Sequence, residues 1–203
     1  MASQEQIDFY NNFVDHFDQQ KDNGRNKSFR DWSLKWIRPG CKVLDFGCAL
    51  GYNSGYLTEQ NIDVVGIDIS PKCIEIAKER YPKGKWICAD VTDKDNLEPH
   101  IEEVDFILMS DVIEHVPVDR HQKLFRYLGF RSTQNAAIIA SIPNPEVHEE
   151  SLKNTPQPVE EKLSIPQLLS DMSYCSEEPF NRVISIFLDG KVYYRMVVQK
   201  GRR

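Results

Sequence analysis

Residues 43 to 51, Val43-Leu44-Asp45-Phe46-Gly47-Cys48-Ala49-Leu50-Gly51, are an apolar run that ends in a turn of small residues, and a second apolar run, Val64-Val65-Gly66-Ile67, ends in the acid Asp68. The first run is apolar enough to be buried on both faces, as a strand inside a parallel sheet is. Gly47, Ala49 and Gly51 then let the backbone approach a ligand closely. A helix is expected to start just after Gly51, its free N–H groups and positive dipole end facing whatever sits over the turn. About twenty residues beyond the turn, the Asp68 carboxylate can accept hydrogen bonds from ribose hydroxyls. This is a nucleoside-binding layout, and it points to an enzyme rather than a scaffold.

The turn does not fit the dinucleotide fingerprint, because its small residues fall at alternate positions instead of the G-x-G-x-x-G spacing. A nicotinamide or flavin cofactor is therefore disfavoured. What must position the turn is an alternation of strands and helices. Residues 5 to 21 carry Ile7, Tyr10, Phe13, Val14 and Phe17 at helical spacing, and a second helix is expected from about Lys27 to Trp36, ending before the break Arg38-Pro39-Gly40. Tyr52 to Glu59 reads as helix, Asp63 to Ile67 as strand, and Pro71 to Arg80 as helix capped by Ser70. Trp86 to Ala89 and Val104 to Met109 are strands, Arg120 to Phe130 a helix capped by Asp119, and Ala136 to Ile142 another strand. The rhythm is that of a doubly wound α/β sheet. It breaks at the end, where Val183 to Leu188 and Val192 to Val198 flank Asp189-Gly190, a hairpin signal.

At 203 residues with 40% hydrophobic content, the chain suits one globular domain. Its formal charge of -6 leaves no electrostatic footprint for nucleic acid or an anionic membrane, and no run approaches the length of a membrane span. The polar amino terminus lacks a signal-peptide pattern, so a cytoplasmic location is expected. Cys41, Cys48, Cys73, Cys88 and Cys175 are odd in number and scattered, and read as reduced thiols. No metal-ligand pattern stands out around Asp111, Glu114 and His115.

The segment Asp45, Gly47, Ala49, Gly51 resembles the first motif of the class I S-adenosylmethionine-dependent methyltransferases, with alanine where that family most often has glycine. The resemblance runs from about Val43 to the final hairpin. It implies a single domain over 1–203 with a mostly parallel sheet closed by a C-terminal antiparallel hairpin, an N-terminal helical cap over 1–38, and a substrate loop or lid over 143–162. It implies S-adenosylmethionine as cofactor, held by Asp45, Gly47, Cys48, Ala49 and Gly51 at the turn. Asp68 with Ile69 would hold the ribose diol, Asp90 with Val91 the adenine, and Ser110 with Asp111 would flank the reactive methyl group. Each acid has an alternative reading, as the cap of the helix after its strand.

Ser110-Asp111-Val112-Ile113-Glu114-His115-Val116 is similar to a segment of small-molecule methyltransferases, and it makes His115 the candidate base where the acceptor must lose a proton. The alternative is that His115 only fastens its loop. Ser141-Ile142-Pro143-Asn144-Pro145 is similar to turns in enzymes acting on sugars and other polar acceptors, while Asn144 is expected to satisfy its own turn. Glu146, Glu149, Glu150, Glu160 and Glu161 crowd the expected lid and are read as a solvated face. Tyr10, Phe13 and Trp32 are read as core aromatics. The activity expected is methylation of a small polar acceptor, at a hydroxyl of a sugar, glycan precursor or similar metabolite. N- or C-methylation, or a non-catalytic cofactor-binding subunit, are the alternatives, and oligomeric state is left open.

Overall fold

The computed structural model describes residues 2–20, 23–97, 100–146, 157–159, 161–174, 178–190 and 192–201. The chain packs as two compact units, Met1–Leu108 and Met109–Arg203, with the boundary inside one strand. The strands are β1 (Lys42–Phe46), β2 (Asp63–Asp68), β3 (Lys85–Cys88), β4 (Val104–Ser110), β5 (Ser132–Pro143), β6 (Phe180–Asp189) and β7 (Tyr193–Lys200). Their hydrogen-bonded order is β3-β2-β1-β4-β5-β7-β6. The mostly parallel sheet with a C-terminal antiparallel hairpin is the arrangement the sequence led us to expect.

In the first unit, β1 runs parallel to β2 with Asp45 opposite Gly66 and parallel to β4 with Asp45 opposite Leu108, while β2 runs parallel to β3 with Asp68 opposite Cys88. Val43, Leu44, Phe46, Val64, Val65, Ile67, Ile107 and Leu108 are all buried, as strands covered on both faces require. Parallel pairing puts the carboxyl ends of β1, β2 and β3 on one edge, and those ends carry the turn after Phe46, Asp68 and Asp90.

Helices flank these strands. The expected helix over 5–21 is two helices, α1 (Gln4–Asn12) and α2 (Val14–Gln20), because Asn11 and Asn12 are weak helix formers and the Asn11 side chain is engaged outside the helix. Neither helix buries a residue, so Tyr10 and Phe13 are not core; Phe13 instead stacks on Phe9 and meets Phe17 edge to face, all three half-buried. Trp32 is half-buried beside Phe29. The next helix, α3 (Gly24–Ser33), starts before Lys27 because Asn23 caps it, accepting the Asn26 N–H at 2.8 Å. Ser70 caps α4 (Pro71–Arg80) as expected, and α5 (Lys94–Leu97) is short.

The expected helix over Tyr52 to Glu59 is a turn followed by a 3-10 helix at Gly55–Gln60. Ser54 stands at its cap position but its hydroxyl donates to the Asp45 carboxylate at 2.5 Å, so it does not cap. The dipole of a long helix is therefore not what faces the turn.

In the second unit, α6 (Val118–Arg131) begins ahead of Asp119, with Pro117 rather than Asp119 at the cap. Its first amide, Val118 N–H, donates to the Glu161 carboxylate at 3.3 Å, a cap supplied from far along the chain. β5 pairs antiparallel with β7 and β7 antiparallel with β6, and α7 (Ile165–Ser173), capped by Ser164, follows the segment expected to form the lid. Of that segment, 147–156 and Glu160 lie outside the described residues, as does Cys175 among the cysteines; Cys41, Cys48, Cys73 and Cys88 are free thiols. Among the described residues no helix is long and apolar enough to cross a membrane, and no three His, Cys, Asp or Glu side chains form a metal-ligand set.

Candidate functional site

The turn after β1 takes left-handed backbone at every second residue: Gly47 at φ 75°, Ala49 at φ 44° and Gly51 at φ 76°. That alternation is why small residues recur there, and Ala49 bears the strain of having a Cβ at such a φ. The turn is fastened to the end of β2. Gly47 and Cys48 N–H both donate to the Ile67 carbonyl at 2.9 Å, and Ala49 N–H donates to Asp68 Oδ2 at 2.9 Å. Gly51 closes the turn by donating to the Cys48 carbonyl at 2.8 Å. The amides of Gly47, Cys48, Ala49 and Gly51 are thus used to hold the turn itself. Behind it, a Cβ on Gly51 would meet the Trp86 ring at 3.0 Å and one on Gly66 would meet it at 2.3 Å, so these glycines admit Trp86.

Three carboxylates mark the strand ends. Asp45 is 1% exposed, and burial pushes its pKa up to about 7, against the lowering by the Ser54 hydroxyl and with a further push from Asp68. Asp68 is half-buried at the end of β2, where Oδ2 takes the Ala49 amide and Oδ1 the Ser70 amide, both at 2.9 Å. Burial raises its pKa too, more than those two amides lower it. Among the described residues no lysine or arginine pairs with either acid. Asp90 accepts the Thr92 amide and hydroxyl on Oδ1, both at 2.8 Å, and the Ala2 amide on Oδ2. Ile69 follows Asp68 half-buried, and Val91 follows Asp90 buried. The helix-cap alternative holds in part: Asp68 and Asp90 each bind the amide two residues on, while Ser70 is the residue that caps α4.

The amino-terminal segment reaches the same strand ends. Besides Ala2 on Asp90, the Ser70 hydroxyl donates to Asn11 Oδ1 at 2.8 Å, the Tyr52 hydroxyl donates to Asp18, and Arg80 pairs with Asp18 at 2.6 Å. These polar partners carried no motif in the sequence and only folding brings them to the turn. Cys48 and Cys73 beside it have thiol pKa values pushed up by burial, Cys73 to about 12, so they are not thiolate nucleophiles.

In the second unit, Ser110 ends β4 and Asp111 follows it in left-handed backbone at φ 52°. Asp111 N–H donates to the Ser141 carbonyl at 2.9 Å, and the Ser141 hydroxyl donates to Asp111 Oδ1 at 3.2 Å. A 3-10 turn, Ile113–His115, then buries Ile113 and Glu114. His115 is half-buried, with Nδ1 at 3.1 Å from the Val159 carbonyl. Donation there places the neutral ring's lone pair on Nε2. Two residues that sequence reasoning missed brace this loop: His121 is buried with Nε2 2.8 Å from the Val116 carbonyl and Nδ1 3.3 Å from Asp171 on α7. Asn144 is buried and its Oδ1 accepts the Glu146 amide at 3.1 Å, the self-satisfied turn expected of it. Glu161, read from sequence as part of a solvated face, is instead the cap of α6; Glu149 and Glu150 lie outside the described residues.

A ligand suited to the first unit's acceptors brings hydrogen-bond donors and positive charge: hydroxyls for Asp68, an amino group for Asp90, and a cation near Asp45 and Asp68. S-adenosylmethionine has a ribose diol, an adenine amino group, an ammonium and a sulfonium, and the residues present fit it.

Residues 43–129 match the family described as a methyltransferase domain. The magnesium-protoporphyrin O-methyltransferase of Rhodobacter capsulatus is 31% identical over 104 residues, 51% of this chain and 46% of that protein. Phosphoethanolamine N-methyltransferase 3 of Arabidopsis thaliana is 37% identical over 82 residues, 39% of this chain and 17% of that protein. The chain spans less than half the length of the curated relatives it matches. Among solved structures, magnesium protoporphyrin IX methyltransferase from Synechocystis PCC 6803 with bound S-adenosylhomocysteine superposes with a TM-score of 0.68 at 16% identity, over 97% of this chain and 98% of that one. That likeness is one of fold.

Proposed function

We propose, from the premise that this chain belongs to the class I S-adenosylmethionine-dependent methyltransferases, that it methylates a hydroxyl of a small polar acceptor such as a sugar, a glycan precursor or a related metabolite. The observation that carries the donor half of this reading is the pair Asp45 and Asp68, two carboxylates raised by burial with no cationic side chain paired to either among the described residues. A cationic ligand is what such a pair favours in its ionised form. When bound, S-adenosylmethionine supplies a methyl group on a positively charged sulfur, open to displacement by a lone pair.

The chain's own residues would do the rest. The Gly47 to Gly51 turn, with Cys48 and Ala49, gives the donor a close backbone floor. Asp68 with Ile69 accepts from the ribose hydroxyls, and Asp90 with Val91 takes the adenine amino group, which requires the Ala2 amide to give way or share that carboxylate. Ser110 and Asp111, set by Ser141, flank the acceptor's approach. His115, with its lone pair on Nε2, accepts the proton that a hydroxyl must lose. Direct displacement asks mainly for alignment and exclusion of water, so positioning groups outweigh chemical ones.

Acceptance of an amine is the second reading, favoured by the match to an N-methyltransferase, and there His115 need only fasten its loop to Val159. A turnover that falls with decreasing pH marks the hydroxyl case. The two units are proposed to act as one domain, because β4 belongs to both, with 1–38 as a cap over the donor and 143–162 as a substrate loop. The acidic balance favours a small-molecule acceptor over nucleic acid, and a cytoplasmic location is proposed with it.

Calorimetric titration with S-adenosylhomocysteine tests the donor site without needing an acceptor. Wild type binds, NAD does not, and Asp68→Ala weakens affinity at least about tenfold, the loss of one charge-assisted hydrogen bond of about 1.5–3 kcal/mol. Equal binding by wild type and variant overturns the role of Asp68.

A further inference from the structure

His121 lies on α6, fully buried, and each of its ring nitrogens faces an oxygen. Nε2 is 2.8 Å from the Val116 carbonyl and Nδ1 is 3.3 Å from Asp171 Oδ2. The carbonyl can only accept. Asp171 is buried too, the one charged residue of α7, and its Oδ1 already takes the Gln167 side-chain amide at 3.0 Å. A neutral ring beside an ionised Asp171 would set a lone pair against one of the two oxygens, and buried polar groups are seldom left so mismatched. A ring protonated on both nitrogens satisfies every group from Val116 through His121 and Asp171 to Gln167.

Stability alone does not call for such a pair, because apolar residues of similar size fill a buried ion-pair site at little or no loss. What they cannot supply is a donor for the Val116 carbonyl. That carbonyl lies one residue past His115, and the carbonyl one residue before it, that of Glu114, accepts the Glu161 amide at 2.7 Å. The backbone is thus pinned on both sides of His115. Its ring meets the Val159 carbonyl at 3.1 Å, near the long end of the range for such a bond, so a shift of about 0.3 Å at either pin weakens it. We propose that His121 is a positioning residue for His115: as an imidazolium tied to Asp171, it holds the Val116 carbonyl and so fixes the orientation in which His115 offers Nε2 as a base. That role rests on the reading of His115 as the base, whereas the protons on both rings are measured without any methyl transfer, so each can fail without the other.

Long-range proton–nitrogen NMR spectra of the full chain, isotope-labelled at its five histidines, read the protons on each ring directly. Near neutral pH, His121 is expected to carry protons on both nitrogens, and His115 to favour its Nδ1–H form about fivefold, the bias of one ordinary hydrogen bond. In Asp171→Asn the new amide keeps Gln167 on its oxygen and donates to Nδ1 of a neutral ring. His121 then loses the Nδ1 proton but still holds Val116, and the His115 ratio stays as in wild type. The double variant His121→Leu with Asp171→Leu leaves the Val116 carbonyl without that donor, and the two forms of His115 move toward parity. Urea unfolding shows whether the double variant is folded, and His121→Phe with Asp171→Leu, which keeps the bulk of the ring, serves if it is not. A neutral His121 in the wild type, or a His115 ratio unmoved in the folded apolar variant, overturns the proposal.

Discussion

Asp45 makes the stability of this protein depend on pH in the direction opposite to that of an ordinary salt-bridged aspartate. Its folded pKa of about 7 stands above the unfolded value of 3.8, so between those two values the folded state holds a proton that the unfolded state has released. Stability therefore falls as pH rises from about 4 to about 7, and the loss is complete above the folded value. A shift of about three units at about 1.4 kcal/mol each comes to about 4 kcal/mol, of which about 3 kcal/mol falls between pH 5 and pH 8. Asp45→Asn removes the titration while keeping an oxygen for the Ser54 hydroxyl, so the amide imitates the protonated acid. Urea unfolding of both proteins at pH 5, 6, 7 and 8 measures the effect, and only the difference between them counts, since other carboxylates and histidines contribute to both. The variant should gain on wild type by about 3 kcal/mol over that range. A difference that stays constant within about 1 kcal/mol would show that Asp45 is ionised in the fold and that burial does not govern it.

Two further outcomes follow from the same turn and from the loop after β4. Ala49→Gly relieves a non-glycine residue at φ 44°, worth about 1–2 kcal/mol, against about 0.4–1 kcal/mol of added chain entropy in the unfolded state, so a net gain of about 0.5–1 kcal/mol is expected in urea unfolding. Loss of stability would mean the methyl group packs in a way that outweighs the strain. His115→Ala is expected to abolish turnover of a hydroxyl acceptor while S-adenosylhomocysteine affinity, read by calorimetry, stays within about twofold. Retained turnover would remove His115 from the chemistry and leave it as the fastening to Val159.

The sequence by itself carried whatever depends on local pattern. Apolar runs ending at Phe46, Asp68 and Ser110 marked the strands, Ser70-Pro71 marked the start of α4, and Asp189-Gly190 marked the final hairpin, because strand burial, caps and turns leave their residues in short windows. The alternation Gly47, Ala49, Gly51 likewise announced a turn that needs left-handed backbone at those places. Tertiary structure decided the rest. Ser54 lies nine residues from Asp45, yet its hydroxyl goes to that carboxylate and not to the helix behind it, which becomes a 3-10 turn. Glu161 starts α6 in place of Asp119, and His121 bridges the Val116 carbonyl and Asp171. Ala2, Asn11 and Asp18 meet the strand ends through polar contacts that no periodicity encodes. Each of these is a hydrogen bond outside the helix and strand ladders, chosen by which groups folding leaves close together and short of partners, and that competition exists only once the strands have been laid side by side.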